Sequence, residues 1–145
     1  MITPAQAAAF AETIAAGGVA VFGADTVYGL ACAPDDQDAV RRIYELKGRP
    51  PAKPSAVMFF DRDAALAALP ELPPRTRAAA QRLLPGPVTL LLPNPRHRFP
   101  LACAGDPDTL GLRVPQLAPA AAALAAVPGA ILQTSANLAG GPEAA

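Results

Sequence analysis

Short apolar runs alternate with helix-like segments along this chain, and that alternation constrains the fold more than any other feature of the sequence. Alternating strands and helices argue for an α/β sheet with helices packed on it. Thr3-Pro4-Ala5-Gln6 reads as a helix start: Thr3 is the N-cap, Pro4 the first helical residue, and Gln6 completes a capping box. Phe10 and Ile14 share one face of that helix, and Gly17-Gly18 ends it. Val19–Phe22 reads as a buried strand running into the polar turn Gly23-Ala24-Asp25-Thr26. Asp36 is placed to cap a helix through about Leu46, with Val40, Ile43, Tyr44 and Leu46 toward the core. The basic loop Lys47–Lys53 follows. Next are expected a strand near Ala56–Phe60, a helix begun by Asp61, and a helix near Arg75–Leu84 ended by Pro85-Gly86. Val88–Leu92 reads as a strand, and a Pro-rich irregular stretch with His97 leads to another at Leu110–Val114. An Ala-rich helix near Leu117–Ala126 and a strand at Ala130–Gln133 complete the pattern, before Thr134–Gly141.

Polar residues gather at strand ends: Asp25-Thr26 after the first strand, Ser135 and Asn137 after the last. Open α/β sheets place ligands at such ends. No internal repeat or linker divides the chain, so residues 1–145 are expected to form one domain.

Composition sharpens this picture through its exceptions. The chain has 35 Ala, 18 Pro and 10 Arg but only 2 Lys and 2 Ser, a bias toward GC-rich codons. Both lysines nevertheless fall in one seven-residue loop, Lys47-Gly48-Arg49-Pro50-Pro51-Ala52-Lys53. Three cations on a Gly/Pro-shaped loop can cradle phosphate or carboxylate. A solvated basic loop at a helix C-terminus, favoured by the macrodipole, is the plainer alternative. Ser135 and Ser55, with Asn137 and Gly140-Gly141 nearby, can give directed hydrogen bonds to a nucleotide or amino acid, or else cap their own turns. Arg113 lies in an apolar strand and needs an anionic partner, either a ligand carboxylate or a structural Asp.

Other classes are disfavoured. The 12 basic and 12 acidic residues balance, which excludes a general basic coat for nucleic acid but not a local patch. No apolar run approaches the roughly 18–20 residues of a membrane span, and the N-terminus lacks the basic start of a secretory signal. Two cysteines, Cys32 and Cys103, cannot build a disulfide framework or a structural zinc site, so a cytoplasmic location is expected. Neither has the His partner or basic neighbours of a nucleophile, so both read as buried small hydrophobes. His97, alone between Arg96 and Arg98, reads as a surface residue. Neither a Walker loop nor a GxGxxG fingerprint occurs.

Five segments together resemble the YrdC-type family, the threonylcarbamoyl-AMP synthases. Asp25-Thr26-Val27-Tyr28-Gly29-Leu30 is similar to its "TDTVYGL" signature, and Lys47-Gly48-Arg49-Pro50 with Lys53-Pro54 to its "KxRP…P" loop. Pro85-Gly86-Pro87-Val88-Thr89, Leu110-Gly111-Leu112-Arg113-Val114-Pro115 and Ser135-Ala136-Asn137-Leu138-Ala139-Gly140 resemble "PGPxT", "LGxRxP" and "SANxSG", in the family's order. The resemblance implies an open, twisted, mixed α/β sheet flanked by helices, with a concave basic cavity. It also implies a nucleotidyltransferase that makes threonylcarbamoyl-AMP and pyrophosphate from L-threonine, bicarbonate and ATP. The threonylcarbamoyl group then modifies an adenosine of tRNA with the help of partner proteins.

On the matching positions, the resemblance gives Lys47, Arg49 and Lys53 to the ATP phosphates, Asn137 to the nucleotide, and Thr109 a weaker nucleotide contact. It gives Thr26, Arg113 and Ser135 to L-threonine, Arg113 through the carboxylate. No protein nucleophile or dedicated metal ligand is implied; Mg²⁺ is expected to arrive with ATP, and there is no prosthetic group. The sequence departs from the pattern at Gly23-Ala24, where the family has "PT", and at Ser55-Ala56-Val57-Met58, where many members have "LxVH". The family also continues beyond "SANxSG", so the resemblance implies a form short of the last elements. Two alternatives follow: a catalytically impaired YrdC-like module binding nucleotide or double-stranded RNA, or an α/β domain whose basic loop serves only solubility. The latter predicts that Lys47, Arg49 and Arg113 do not converge on one cavity.

Overall fold

The computed structural model describes residues 1–23, 28–50 and 53–135. Its sheet has six strands in the order β1-β2-β6-β3-β5-β4. These are β1 (Ala20–Gly23), β2 (Tyr28–Cys32), β3 (Ala56–Met58), β4 (Leu90–Pro93), β5 (Thr109–Arg113) and β6 (Ile131–Ser135). Only β3 and β5 pair in parallel; the other neighbours are antiparallel. The mixed α/β sheet expected from the sequence is therefore present.

Helix positions follow local chemistry. α1 (Pro4–Ala15) begins with the expected capping box, Thr3 Oγ1 accepting from Gln6 N and Gln6 Oε1 from Thr3 N. α2 (Gln37–Lys47) is capped by Asp36, which accepts from Ala39 N at 3.0 Å. α3 (Arg62–Ala67) is capped by Asp61, and α4 (Pro74–Leu83) and the short α5 (Pro100–Cys103) both begin with Pro at their first position. The Pro-rich stretch was expected to be irregular, yet α5 forms there, aided by this proline.

Two expectations on helices need correction. Pro119–Ala126 is a 3₁₀ helix, not an α-helix. Its repeated alanines provide only Leu124 as a large buried anchor, and so short a segment gains little from propensity alone. On α2, Leu46 is 58% exposed whereas Lys47 is only 3% exposed. The helical period explains the exchange, since Val40, Ile43, Tyr44 and residue 47 form one stripe at spacings of three and four.

The two sheet faces differ. Register places Leu30, Cys32, Leu132, Val57, Leu110, Leu112 and Leu92 on one face, under α2, α3, α4 and α5. On the other face, α1 and the 3₁₀ helix cover only one end, over Phe22, Ala31, Met58 and Ile131. There Phe10, Phe22 and Phe60 meet edge to face with centroids 5.6–6.0 Å apart. The rest of this face carries Gly29, Gln133, Ala56, Gly111, Thr109 and Arg113, and no helix among the described residues packs over it. Among the described residues no helix is long and apolar enough to cross a membrane.

Candidate functional site

The open part of the sheet forms a cavity of about 370 Å³ where β6 ends and β3 and β5 begin. Ala56 and Gly111 keep its floor low, while Arg49, Thr89, Asp106, Thr109, Gln133 and Thr134 supply polar atoms. A larger groove, about 680 Å³, lies on the far side of Arg49, between α2 and α5.

The C-terminal end of α2 organises one wall. Gly48 takes the left-handed conformation (φ 61°) that a helix C-cap requires, and Arg49 N closes back onto Tyr44 O at 2.9 Å. That reversal directs Arg49 to the cavity. Its Nη2 donates to Pro54 O, its guanidinium carbon lies 5.8 Å from the Tyr44 ring centroid, and its buried Nε has no hydrogen-bond partner among the described residues. The Tyr44 hydroxyl donates to Lys53 O at 2.6 Å and sits 2.8 Å from Ser55 Oγ, fixing the arm that carries Lys53. Lys53 itself is exposed.

Lys47, expected in a loop, is the last residue of α2 and reaches β6 instead. Its ammonium donates to Thr134 Oγ1 at 2.9 Å, Ser135 O at 2.8 Å and Ser135 Oγ at 3.1 Å. Burial, with Arg49 and then Lys53 nearby, holds its pKa below the ordinary lysine value. Ser135 was expected to follow the last strand; it is the final residue of β6, paired with Gly29 across the β2 ladder.

On β5, Thr109 lines the cavity and Arg113 lies two pairs further along the same face, donating to Thr89 Oγ1 at 3.5 Å. Of the three cations Arg49 lines the cavity, while Lys47 and Arg113 each bond a residue that lines it, Thr134 and Thr89. Thr26 and Asn137 lie outside the described residues, as does Ala24 of the Gly23-Ala24 departure. Met58, at the other departure, is fully buried under α1's cluster rather than facing the cavity.

Sequence reasoning did not single out Gln133, Asp106, Thr89 or Tyr44 as site residues. A glutamine inside the apolar strand Ile131–Ser135 was a readable signal, because a polar residue there needs a reason. Asp106 sits in an irregular connection with no such pattern. Both cysteines are buried as expected: desolvation, then Asp36, pushes the Cys32 thiol up to about 12, and Cys103 is raised chiefly by burial. His97 is exposed and lies 2.8 Å from Asp108 Oδ1.

Comparison with known proteins places these features in a group. A family model described as telomere recombination, covering Sua5, YciO and YrdC proteins, matches residues 12–145. The chain is 37% identical over 121 residues to a threonylcarbamoyl-AMP synthase of Halorhodospira halophila, covering 83% of this chain and 63% of that protein. With the synthase of Stutzerimonas stutzeri it shares 37% over 134 residues, covering 92% and 71%. It therefore spans under two thirds of the first relative's length. Its backbone is similar to P. abyssi Sua5 complexed with L-threonine, with a TM-score of 0.80, 31% identity, and 99% of this chain matching 42% of that one. E. coli YciO is also similar, at a TM-score of 0.74 and 26% identity, covering 92% and 64%. With fold, motif order and family match in agreement, this chain belongs to the Sua5/YciO/YrdC family.

Proposed function

We propose that the cavity binds L-threonine and ATP, and that the protein it belongs to makes threonylcarbamoyl-AMP and pyrophosphate from these and bicarbonate. The observation that carries this reading is the convergence of Arg49, Thr109 and the Lys47- and Arg113-bonded residues on one cavity at the strand ends. A relative whose backbone is similar over 99% of this chain was solved with L-threonine, which supports an amino-acid ligand.

In this reading the threonine amine captures CO₂ from bicarbonate, releasing water, and a carbamate oxygen displaces pyrophosphate at the α-phosphorus of ATP. Arg113, with Thr26 and Ser135, holds threonine, the guanidinium pairing with its carboxylate. Arg49 and Lys53 offset charge on the transferring and leaving phosphates, and Thr109 and Asn137 contact the nucleotide. Such a displacement gains most from orientation and fixed charge, so no side chain has to form a covalent intermediate. In this reading Mg²⁺ enters as part of the ATP substrate. The product would serve tRNA modification with partner proteins in the cytoplasm.

The test is pyrophosphate release from ATP by the purified chain, with L-threonine and bicarbonate added separately and together. Release that requires both supports the reading, and Arg113→Ala should abolish it without unfolding the chain. ATP binding without threonine-dependent release would favour a nucleotide-binding module instead.

A further inference from the structure

We infer that Lys47 is a positioning residue for the threonine side of the cavity and not a ligand of the ATP phosphates. This rests on the function proposed above. An ammonium has three protons to donate. In Lys47 all three have acceptors, Thr134 Oγ1, Ser135 O and Ser135 Oγ, at 2.8–3.1 Å, and the residue is only 3% exposed. None remains for a phosphate. The neighbouring Arg49, by contrast, is half-buried, lines the cavity, and keeps a buried Nε without a partner among the described residues.

The geometry gives the ammonium a definite task. Ser135 is the last residue of β6 and pairs with Gly29 of β2, so beyond it the ladder offers no further described pairing. Lys47 crosses from the helical face and ties both the hydroxyl and the carbonyl of Ser135, fixing the rotamer and the strand end together. Its three acceptors are neutral and do not offset the ammonium charge beside the Ser135 hydroxyl. That charge turns the Ser135 hydroxyl proton outward, so that Oγ accepts from Lys47 and donates toward the ligand. A threonine carboxylate is an acceptor of the matching kind.

The test measures L-threonine and ATP binding separately by calorimetry on the folded chain, for wild type, Lys47→Met, Lys47→Arg, Thr134→Val and the double variant Lys47→Met with Thr134→Val. We expect Lys47→Met to weaken threonine binding about tenfold or more while changing ATP binding less than about threefold, as loss of charge-assisted hydrogen bonds requires. Lys47→Arg should not rescue it, because a planar guanidinium cannot meet three acceptors gathered around one point. Thr134→Val, which removes one acceptor without touching the lysine, should give a smaller threonine defect that is not additive with Lys47→Met. The opposite split, with ATP binding lost, threonine binding kept and Arg restoring ATP affinity, would overturn the proposal. If wild type binds neither ligand, the functional reading fails. Hydrogen exchange still decides the strut: Lys47→Met should speed exchange around Gly29 and Ser135 relative to β3–β5, and equal rates would sink it.

Discussion

Tyr44 shows how one side chain can serve the core and the site together. Its ring is buried in the helical-face cluster, while its hydroxyl holds Lys53 O and Ser55 Oγ. Tyr44→Phe keeps the ring but leaves the buried Ser55 hydroxyl short of a partner, which should cost about 1–2 kcal/mol in urea denaturation. The arm bearing Lys53 should loosen as well, so ATP binding should weaken severalfold while threonine binding holds. An unchanged nucleotide affinity would show that the arm is held by other contacts. The sequence marks Tyr44 as a core residue through its spacing from Val40, and nothing in that spacing reveals the hydroxyl's partners. Lys47 is different. Its place on the same stripe is readable from the helical period. Ending the helix near Leu46, with Lys47 as the first residue of a loop, instead makes Leu46 the last core-facing residue.

At the level of elements, α2 links the core to the cavity. Asp36 fixes its start, its apolar stripe packs on the sheet, and its last turn delivers Tyr44, Lys47 and Arg49 to three different jobs. Gly48 makes the last of these feasible by taking a positive φ, and a Cβ there would meet nothing within 4 Å. Gly48→Ala therefore tests backbone conformation alone. It should destabilise the chain by about 1 kcal/mol, the order of cost for a non-glycine residue in the left-handed region. Because Arg49 leaves the helix through this turn, ATP binding should fall further than the loss of stability accounts for. Caps such as Thr3, Asp36 and Asp61 were legible because their hydrogen bonds are local in sequence. A helix at the alanine run was legible too, but its 3₁₀ form was not, since such a run encodes helical tendency without saying what it packs on.

Across the whole molecule, the uneven cover of the sheet creates the site. Among the described residues four helices seal one face, whereas α1 and the 3₁₀ helix seal only one end of the other and leave Ala56 and Gly111 as a low floor. The alternation of strands and helices foretold a layered sheet, yet strand order is set by pairings across the chain, such as β6 between β2 and β3, which no local pattern encodes. A cavity left by missing cover should be removable by filling it. At Gly111 a Cβ would touch Thr89 Cγ2 at 3.5 Å, Ala56 Cα at 3.8 Å and Leu91 Cδ2 at 3.9 Å, which are ordinary contacts. Gly111→Val adds two methyl groups above that floor, and a β-branched residue suits a strand interior better than glycine. The variant should fold at least as stably as wild type by thermal unfolding. Binding of both L-threonine and ATP should nevertheless fall by about tenfold or more, since each would lose room in the same space. Retained binding in a stable Gly111→Val chain would mean that the ligands sit elsewhere, and the groove between α2 and α5 would then be the place to look.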